Sequence, residues 1–485
     1  VTGTQPARWH GNADGGTGRE VSVTAQNIQA WECIVCGYIH EGAAPPDECP
    51  LCGAPRSEFK PRRPSTPHLP AVGGPEGVRV AVLGAGIAGL AAVESIRSAS
   101  PTAQVTLISE EQHLPYQRLN LTRYLANEIA ENQLPIHPAQ WYTQHHLQLL
   151  LGTKAARIDL GRRSIVLADG QTTAFDKLIL ATGATAAIPP IPGAAAENVR
   201  CLRTLDDAKA VLDWARPGAR CVCIGGGILG LEAAGALARR GVEVALIEGQ
   251  AWLLPRQLNE RASRVLQKQV TGLGIRLYHS AGVARIAGEG RAREVLLQDG
   301  SSLPTDFVIL ATGVKPTTAL AEQCGLTVNR GILVNDQLVT SDPNVLAAGD
   351  VAEHRGTVYG LWTVSQIQGH IAGLSALGGQ VAFNGVPRSN FLKVLGVGLF
   401  SIGAIEPEGP EGRALEQETD SGYQRFVFRG GRLVGAILLG DTRSATAVKS
   451  AIERADDLGG LLQRRLPATA VLAHLEVQET GARRG

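Results

Sequence analysis

The stretch that decides the fold is VRVAVLGAGIAGLAAVESIRSA, residues 78–99, followed by VTLIS from Val105. An apolar strand runs into a glycine turn, a small-residue helix follows, and a second apolar strand completes a βαβ unit. Gly84 makes the tight turn, Gly86 lets the backbone approach a pyrophosphate, and Gly89 lets helix and strand pack closely. The pyrophosphate then sits at the helix N-terminus, and Glu110 is placed to bind a ribose hydroxyl. The pattern recurs at RCVCIGGGILGLEAAGALARRG, residues 220–241, with Gly225, Gly227 and Gly230, and the next strand, VEVALIE, closes on Glu248. A carboxylate there accepts hydrogen bonds from an adenosine ribose 2′-OH and repels a 2′-phosphate, which favours NADH over NADPH. Arg256 nearby works against that preference. LILATGA from Leu178 and VILATGV from Val308 are buried strands ending in glycine turns at Thr182–Gly183 and Gly313; each closes one nucleotide domain. One glycine fingerprint alone is weak evidence. The duplication implies an α/β chain with two Rossmann-like dinucleotide-binding domains.

Toward the N-terminus lies WECIVCGYIHEGAAPPDECPLCGAPRSEF, residues 31–59. Its paired CxxC turns bring Cys33, Cys36, Cys49 and Cys52 to one tetrahedral thiolate site, which suits iron or zinc. Gly37 and Gly53 can aim backbone N–H groups at the sulfurs. In a long chain with few other cysteines this pattern favours a metal over disulfides. Cys201, Cys221, Cys223 and Cys324 read as core residues. The histidines do not cluster and read as structural or exposed.

These signals divide the chain into a tail, 1–30; a four-cysteine domain, 31–61; a Pro- and Gly-rich linker, 62–77; a first nucleotide domain in two parts, 78–196 and 316–386, around a second, 197–315; a C-terminal α+β domain, 387–466; and a loosely packed tail, 467–485. The α+β assignment rests on strand-rich segments, a Gly430–Gly431 turn and a helical KSAIERADDLGGLLQRRL stretch. At 485 residues and 44% apolar, the chain can fill several cores. A net charge of +1 gives no reason to expect nucleic acid or an anionic membrane as a partner. No apolar run is long enough to span a bilayer, and the first residues lack a signal-peptide pattern, so the expected location is cytoplasmic.

Residues 31–60, with CGY, EG, PP and CPLCGA, resemble rubredoxin in the compact form found at the end of rubrerythrins, which implies iron, with zinc as the alternative. Residues 78–465 resemble the FAD-dependent pyridine-nucleotide oxidoreductases that lack a redox disulfide. The likeness is greatest to the NADH–rubredoxin reductases and the flavin-binding half of assimilatory NADH–nitrite reductases. It rests on PYQRLNLTRYL from Pro115, WY at Trp141, LPRQLN from Leu254, YGLW from Tyr359 and LKVLGVGLFSIG from Leu392, while TSDPNVLAAGDVAEHRG from Thr340 carries a strand end at Gly349–Asp350 like the one whose Asp binds the flavin ribityl chain in two-dinucleotide flavoproteins. The resemblance implies FAD at the first fingerprint, with Arg118, Thr182, Gly183, Gly349 and Asp350 among its contacts. NADH is implied at the second fingerprint, with Gly313 beside it. Relatives place a Lys near flavin N5, paired with a Glu after the second fingerprint. Arg123 and Glu232 match that catalytic pair here, with Thr122 at the preceding Ser. No cysteine lies between Gly84 and Asp176, so a disulfide is not the flavin's oxidant. The implied activity is hydride transfer from NADH to FAD, then single electrons to the fused iron centre and on to a redox protein. Two alternatives stay open: the electron-input subunit of an assimilatory nitrate or nitrite reductase, and an NADH oxidase or diaphorase with a zinc docking module. The C-terminal domain is an expected interface for a homodimer or a heteromeric complex.

Overall fold

The computed structural model describes residues 30–33, 39–47, 49, 56–62, 76–386, 389–392, 395, 397–419, 422–463 and 467–482. The expected tail, 1–30, and linker, 62–77, therefore fall almost wholly outside the described residues.

The expected α/β class is what the structure shows. In the first nucleotide domain, five parallel strands lie in the order Val345–Ala347, Lys177–Leu180, Arg79–Leu83, Gln104–Ile108, Leu147–Leu150. Strands covered on both faces read as continuous apolar runs, and Val80, Val82, Leu107, Leu178 and Ile179 are fully buried. The second domain repeats the plan: Val199–Cys201, Phe307–Leu310, Arg220–Ile224, Glu243–Ile247, Arg276–Tyr278, again all parallel. Each domain carries a three-stranded antiparallel flap, Ala155–Ala174 in the first and Val283–Pro304 in the second. Ala184–Ala186 and Val314–Pro316 pair antiparallel where the chain passes between the two domains.

From Ser389 to Gly440 the chain forms a five-stranded antiparallel sheet with a hairpin at Gly430–Gly431. One face, with Leu399, Tyr423, Ile437 and Leu439, joins the core of the second nucleotide domain. Asn259 donates to the Tyr423 hydroxyl across that junction at 2.8 Å. Phe400, Phe426, Phe428 and Leu438 on the other face pack beneath Val448, Ala451, Val471 and Leu475. The last two of these belong to a helix, Ala468–Ala482, which corrects the expectation of a loose tail over 467–485. Ala468, Val471 and Leu475 fall on one helical stripe and are buried, so the segment has an apolar face to satisfy.

In the N-terminal module Ala30–Cys33 lies between Ile39–Glu41 and Phe59–Arg62, antiparallel to both. No helix among the described residues is long and apolar enough to cross a membrane.

Candidate functional site

The two glycine turns have nearly the same shape. Gly84 has φ +105°, and a Cβ on it would lie 2.1 Å from the Ala181 carbonyl oxygen; a Cβ on Gly89 would lie 1.9 Å from the Gly84 oxygen. Gly225 and Gly230 meet the same obstacles, at 2.4 Å from the Ala311 oxygen and 1.9 Å from the Gly225 oxygen. The middle glycines differ in kind. Nothing lies within 4 Å of a Cβ on Gly86 or Gly227. Each is the N-cap of its helix, Ile87–Ala99 or Ile228–Arg239, without a side-chain cap. The first-turn N–H groups therefore face open space, as a bound pyrophosphate requires.

At the first turn that space is a cleft of about 1360 Å³, lined by Gly84, Gly86, Glu110, Arg118, Thr182, Gly183, Gly349 and Asp350. Apart from Gly89, which lies against the Gly84 oxygen, the residues expected at the flavin thus gather on one concavity drawn from distant parts of the chain. Such a cleft is of a size to take FAD.

Their partners fix them in place. Arg118 donates to Glu111 at 2.6 Å and to the Arg203 carbonyl, and the Tyr116 hydroxyl donates to the other Glu111 oxygen at 2.7 Å. Burial raises the Tyr116 hydroxyl above its ordinary range, with the Glu111 carboxylate adding to it and Arg118 opposing. Glu110, by contrast, is exposed and pairs with Lys154 at 3.0 Å, so its attraction is screened and it is left to turn to a ribose. Asp350 accepts from Arg203 at 3.1 Å and from the Ser365 hydroxyl at 3.2 Å, while the Gly349 N–H donates to Gln368 at 2.9 Å.

Arg203 was not foreseen from the sequence. It precedes the helix Leu205–Trp214, and its own N–H and that of Thr204 donate to Asp207 at 2.9 and 2.8 Å. The capping box over Thr204–Asp207 is the local signal that fixes its backbone. Nothing local points its side chain at Asp350.

Glu248 accepts the Gly226 N–H at 2.9 Å and the Gln250 N–H at 2.8 Å. The carboxylate is thereby held against the second glycine turn, with lone pairs to spare for a ribose. Gly313 has φ +104° beside that turn.

The expected ion pair of Arg123 with Glu232 is not what the structure shows. Arg123 Nε donates to Glu128 at 3.2 Å, and Glu128 also takes Arg239. Glu232 instead accepts from the Thr122 hydroxyl at 3.2 Å. The physical reason lies in sequence distance and solvation. Glu128 is held at the end of the Arg123 helix, its N–H bonded to the Arg123 carbonyl at 2.9 Å, and stays partly hydrated. Burial pushes the Glu232 carboxyl up to about 7, with the Thr122 bond acting the other way, so Glu232 is not fully ionised near neutral pH.

Of the four-cysteine set, Cys33 and Cys49 are buried, while Cys36 and Cys52 lie outside the described residues. Two thiol sulfurs withdrawn from water, Cys33 at the end of a sheet strand and Cys49 outside the strands, fit a soft, thiolate-preferring metal such as iron or zinc. Cys221 and Cys223 are buried in the sheet; burial pushes the Cys223 thiol up to about 12 and raises the Cys221 thiol as well. Neither is poised as a nucleophile.

Residues 78–369 match the pyridine nucleotide-disulphide oxidoreductase family, residues 389–456 the rubredoxin NAD+ reductase C-terminal domain, and residues 31–60 the rubrerythrin, rubredoxin-like domain. The chain is 33% identical, over 78% of its length, to the assimilatory nitrate reductase electron transfer subunit of Bacillus subtilis, and spans 50% of that protein. It is 29% identical to the NADH-rubredoxin oxidoreductase of Clostridium acetobutylicum, covering 77% of this chain and 94% of that one. Putidaredoxin reductase, solved in covalent complex with putidaredoxin, superposes with a TM-score of 0.76 at 25% identity, covering 83% of this chain and 99% of that one.

Proposed function

Because the chain belongs to the pyridine nucleotide-disulphide oxidoreductase family, we propose that it is an NADH-dependent flavoprotein that passes electrons to its own four-cysteine iron module and on to a redox protein. The observation that carries this reading is the union, in one chain, of two open glycine turns with a rubredoxin-like module and the C-terminal domain of rubredoxin reductases.

The residues divide the work. The N–H groups after Gly86 and Gly227 would hold the two pyrophosphates. Asp350, steadied by Arg203 and Ser365, would fix the flavin's ribityl chain, and Glu110 its adenosine ribose. Glu248 would accept the NADH ribose hydroxyls and disfavour a 2′-phosphate. Bound FAD and iron supply the conversion of a two-electron hydride into single electrons. The protein's share is to hold the reacting rings in register and exclude water. With Arg123 turned to Glu128, the group facing the second fingerprint helix is Thr122, and Glu232 can hold a proton near neutral pH.

An assimilatory nitrate or nitrite reductase catalytic subunit is a second acceptor reading, favoured by the Bacillus subtilis relative. An anaerobic NADH titration of purified protein, followed by visible absorption, tests the proposal. Ferric-thiolate and flavin bands that both bleach are expected. Flavin bands alone would mean zinc or no metal at the four cysteines, and a diaphorase.

A further inference from the structure

The four-cysteine module does not merely hang beside the larger body. We infer that Glu58 and Thr446 form a latch that docks the module on the C-terminal domain in the position where it receives electrons. This inference rests on the electron-transfer reading above.

Glu58 and Thr446 are each 6% exposed, and the Thr446 hydroxyl donates to the Glu58 carboxylate across 388 positions of sequence. A carboxylate withdrawn from water is costly unless it is hydrogen-bonded. The bond to Thr446 exists only in the docked arrangement. Thr446 lies in the first turn of the helix Ala445–Arg454, whose positive end favours a carboxylate. The carboxylate and the helix end are complementary in charge.

The latch is also close to the metal ligands. Phe59, the next residue, is 7% exposed and is the register partner of Cys33. On the other side, the helix of Thr446 packs on the C-terminal sheet. The opposite face of that sheet belongs to the same continuous core as Leu121 and Leu125, which flank Thr122 and its bond to Glu232. The dock thus joins the first ligand strand, through packed protein, to the helix beside the candidate nucleotide sites. A tether alone raises the module's local concentration; the latch adds a fixed orientation.

The test uses the full, iron-loaded chain and anaerobic stopped flow with NADH, reading flavin and iron bands separately. Thr446→Val and Glu58→Ala should leave flavin reduction unchanged and slow the following iron reduction by about tenfold, as loss of a charged hydrogen bond implies. Thr446→Ser, which keeps the hydroxyl, should restore the rate. Amide exchange in the first turn of Ala445–Arg454 should quicken in Thr446→Val. Iron reduction as fast as, or faster than, wild type in both variants, with exchange unchanged, overturns the latch. If wild-type flavin bleaches and its iron does not, the electron-transfer reading falls, and amide exchange alone decides whether the latch exists.

Discussion

Replacing Glu232 with Gln should stabilise the protein, and only at high pH. Loss of hydration moves this carboxyl from 4.5 to about 7, the Thr122 hydroxyl opposing. The folded state then holds the proton more tightly than the unfolded state. Stability from this group is complete below its unfolded value, and is lost as pH rises through about 7. The displacement corresponds to ~3 kcal/mol once the group is ionised in both states. Gln keeps the shape and an oxygen for Thr122 but carries no charge to desolvate. Glu232→Gln should therefore melt with wild type at about pH 4.5 and above it at about pH 8.5, by roughly 6–12 °C for a domain of this size. Calorimetric melts across that range measure it. Equal offsets at both ends of the range, or a variant less stable at the alkaline end, would refute the reasoning. An ionisable group that costs stability beside a candidate nucleotide site is a candidate for a working role.

The glycine turn offers a matched contrast. Gly89→Ala puts a Cβ 1.9 Å from the Gly84 oxygen, so the turn must open and both melting temperature and flavin content should fall. Gly86→Ala meets nothing within 4 Å, so melting should hold while FAD affinity, measured by titration of apoprotein, drops by about tenfold. Glu248→Ala removes the acceptor of the Gly226 and Gln250 N–H groups and should raise KM for NADH by about tenfold with little change for NADPH; steady-state kinetics with both nucleotides decide it. Arg203→Ala takes the cation from Asp350 and should speed loss of bound flavin on dilution by about tenfold, read by the rise in free-flavin fluorescence.

The nucleotide domains were legible because their signal is local and periodic. Glycines at fixed offsets between apolar strands allow little but a strand–turn–helix, and the repeat at Gly225 makes a chance match implausible. The ligands drawn to the first cleft were legible only where a remote stretch had its own pattern, as the strand ending at Gly349–Asp350 does. Arg203 lacked one. It lies 147 positions from Asp350, on the other nucleotide domain, and a side chain's reach across domains leaves no mark in local spacing. The C-terminal helix did leave a mark. Pro467 precedes Ala468, Val471 and Leu475 at helical spacing, a start signal followed by an apolar stripe, but short Ala-rich stretches gain their helicity from packing rather than propensity. That packing, against Phe400 and Phe428, appears only when the sheet is in place.

The failure of the Arg123–Glu232 pair follows from the chemistry of the replaced residue. Lys is a point charge on a flexible stem, whereas Arg is a planar fork. At position 123 the fork finds Glu128, a carboxylate that already holds Arg239. One half-exposed acid between two guanidiniums is well solvated and satisfies both. Glu232 is then left with a hydroxyl for a partner, and no cation is among the groups that shift it. Its elevated proton affinity is the work of burial, which no neighbouring cation offsets. Where a Lys would hold that carboxylate ionised and bring a positive charge to the site, this chain supplies a carboxyl able to take up or release a proton near neutral pH. The same helix position thus changes from a fixed charge to a titrating one.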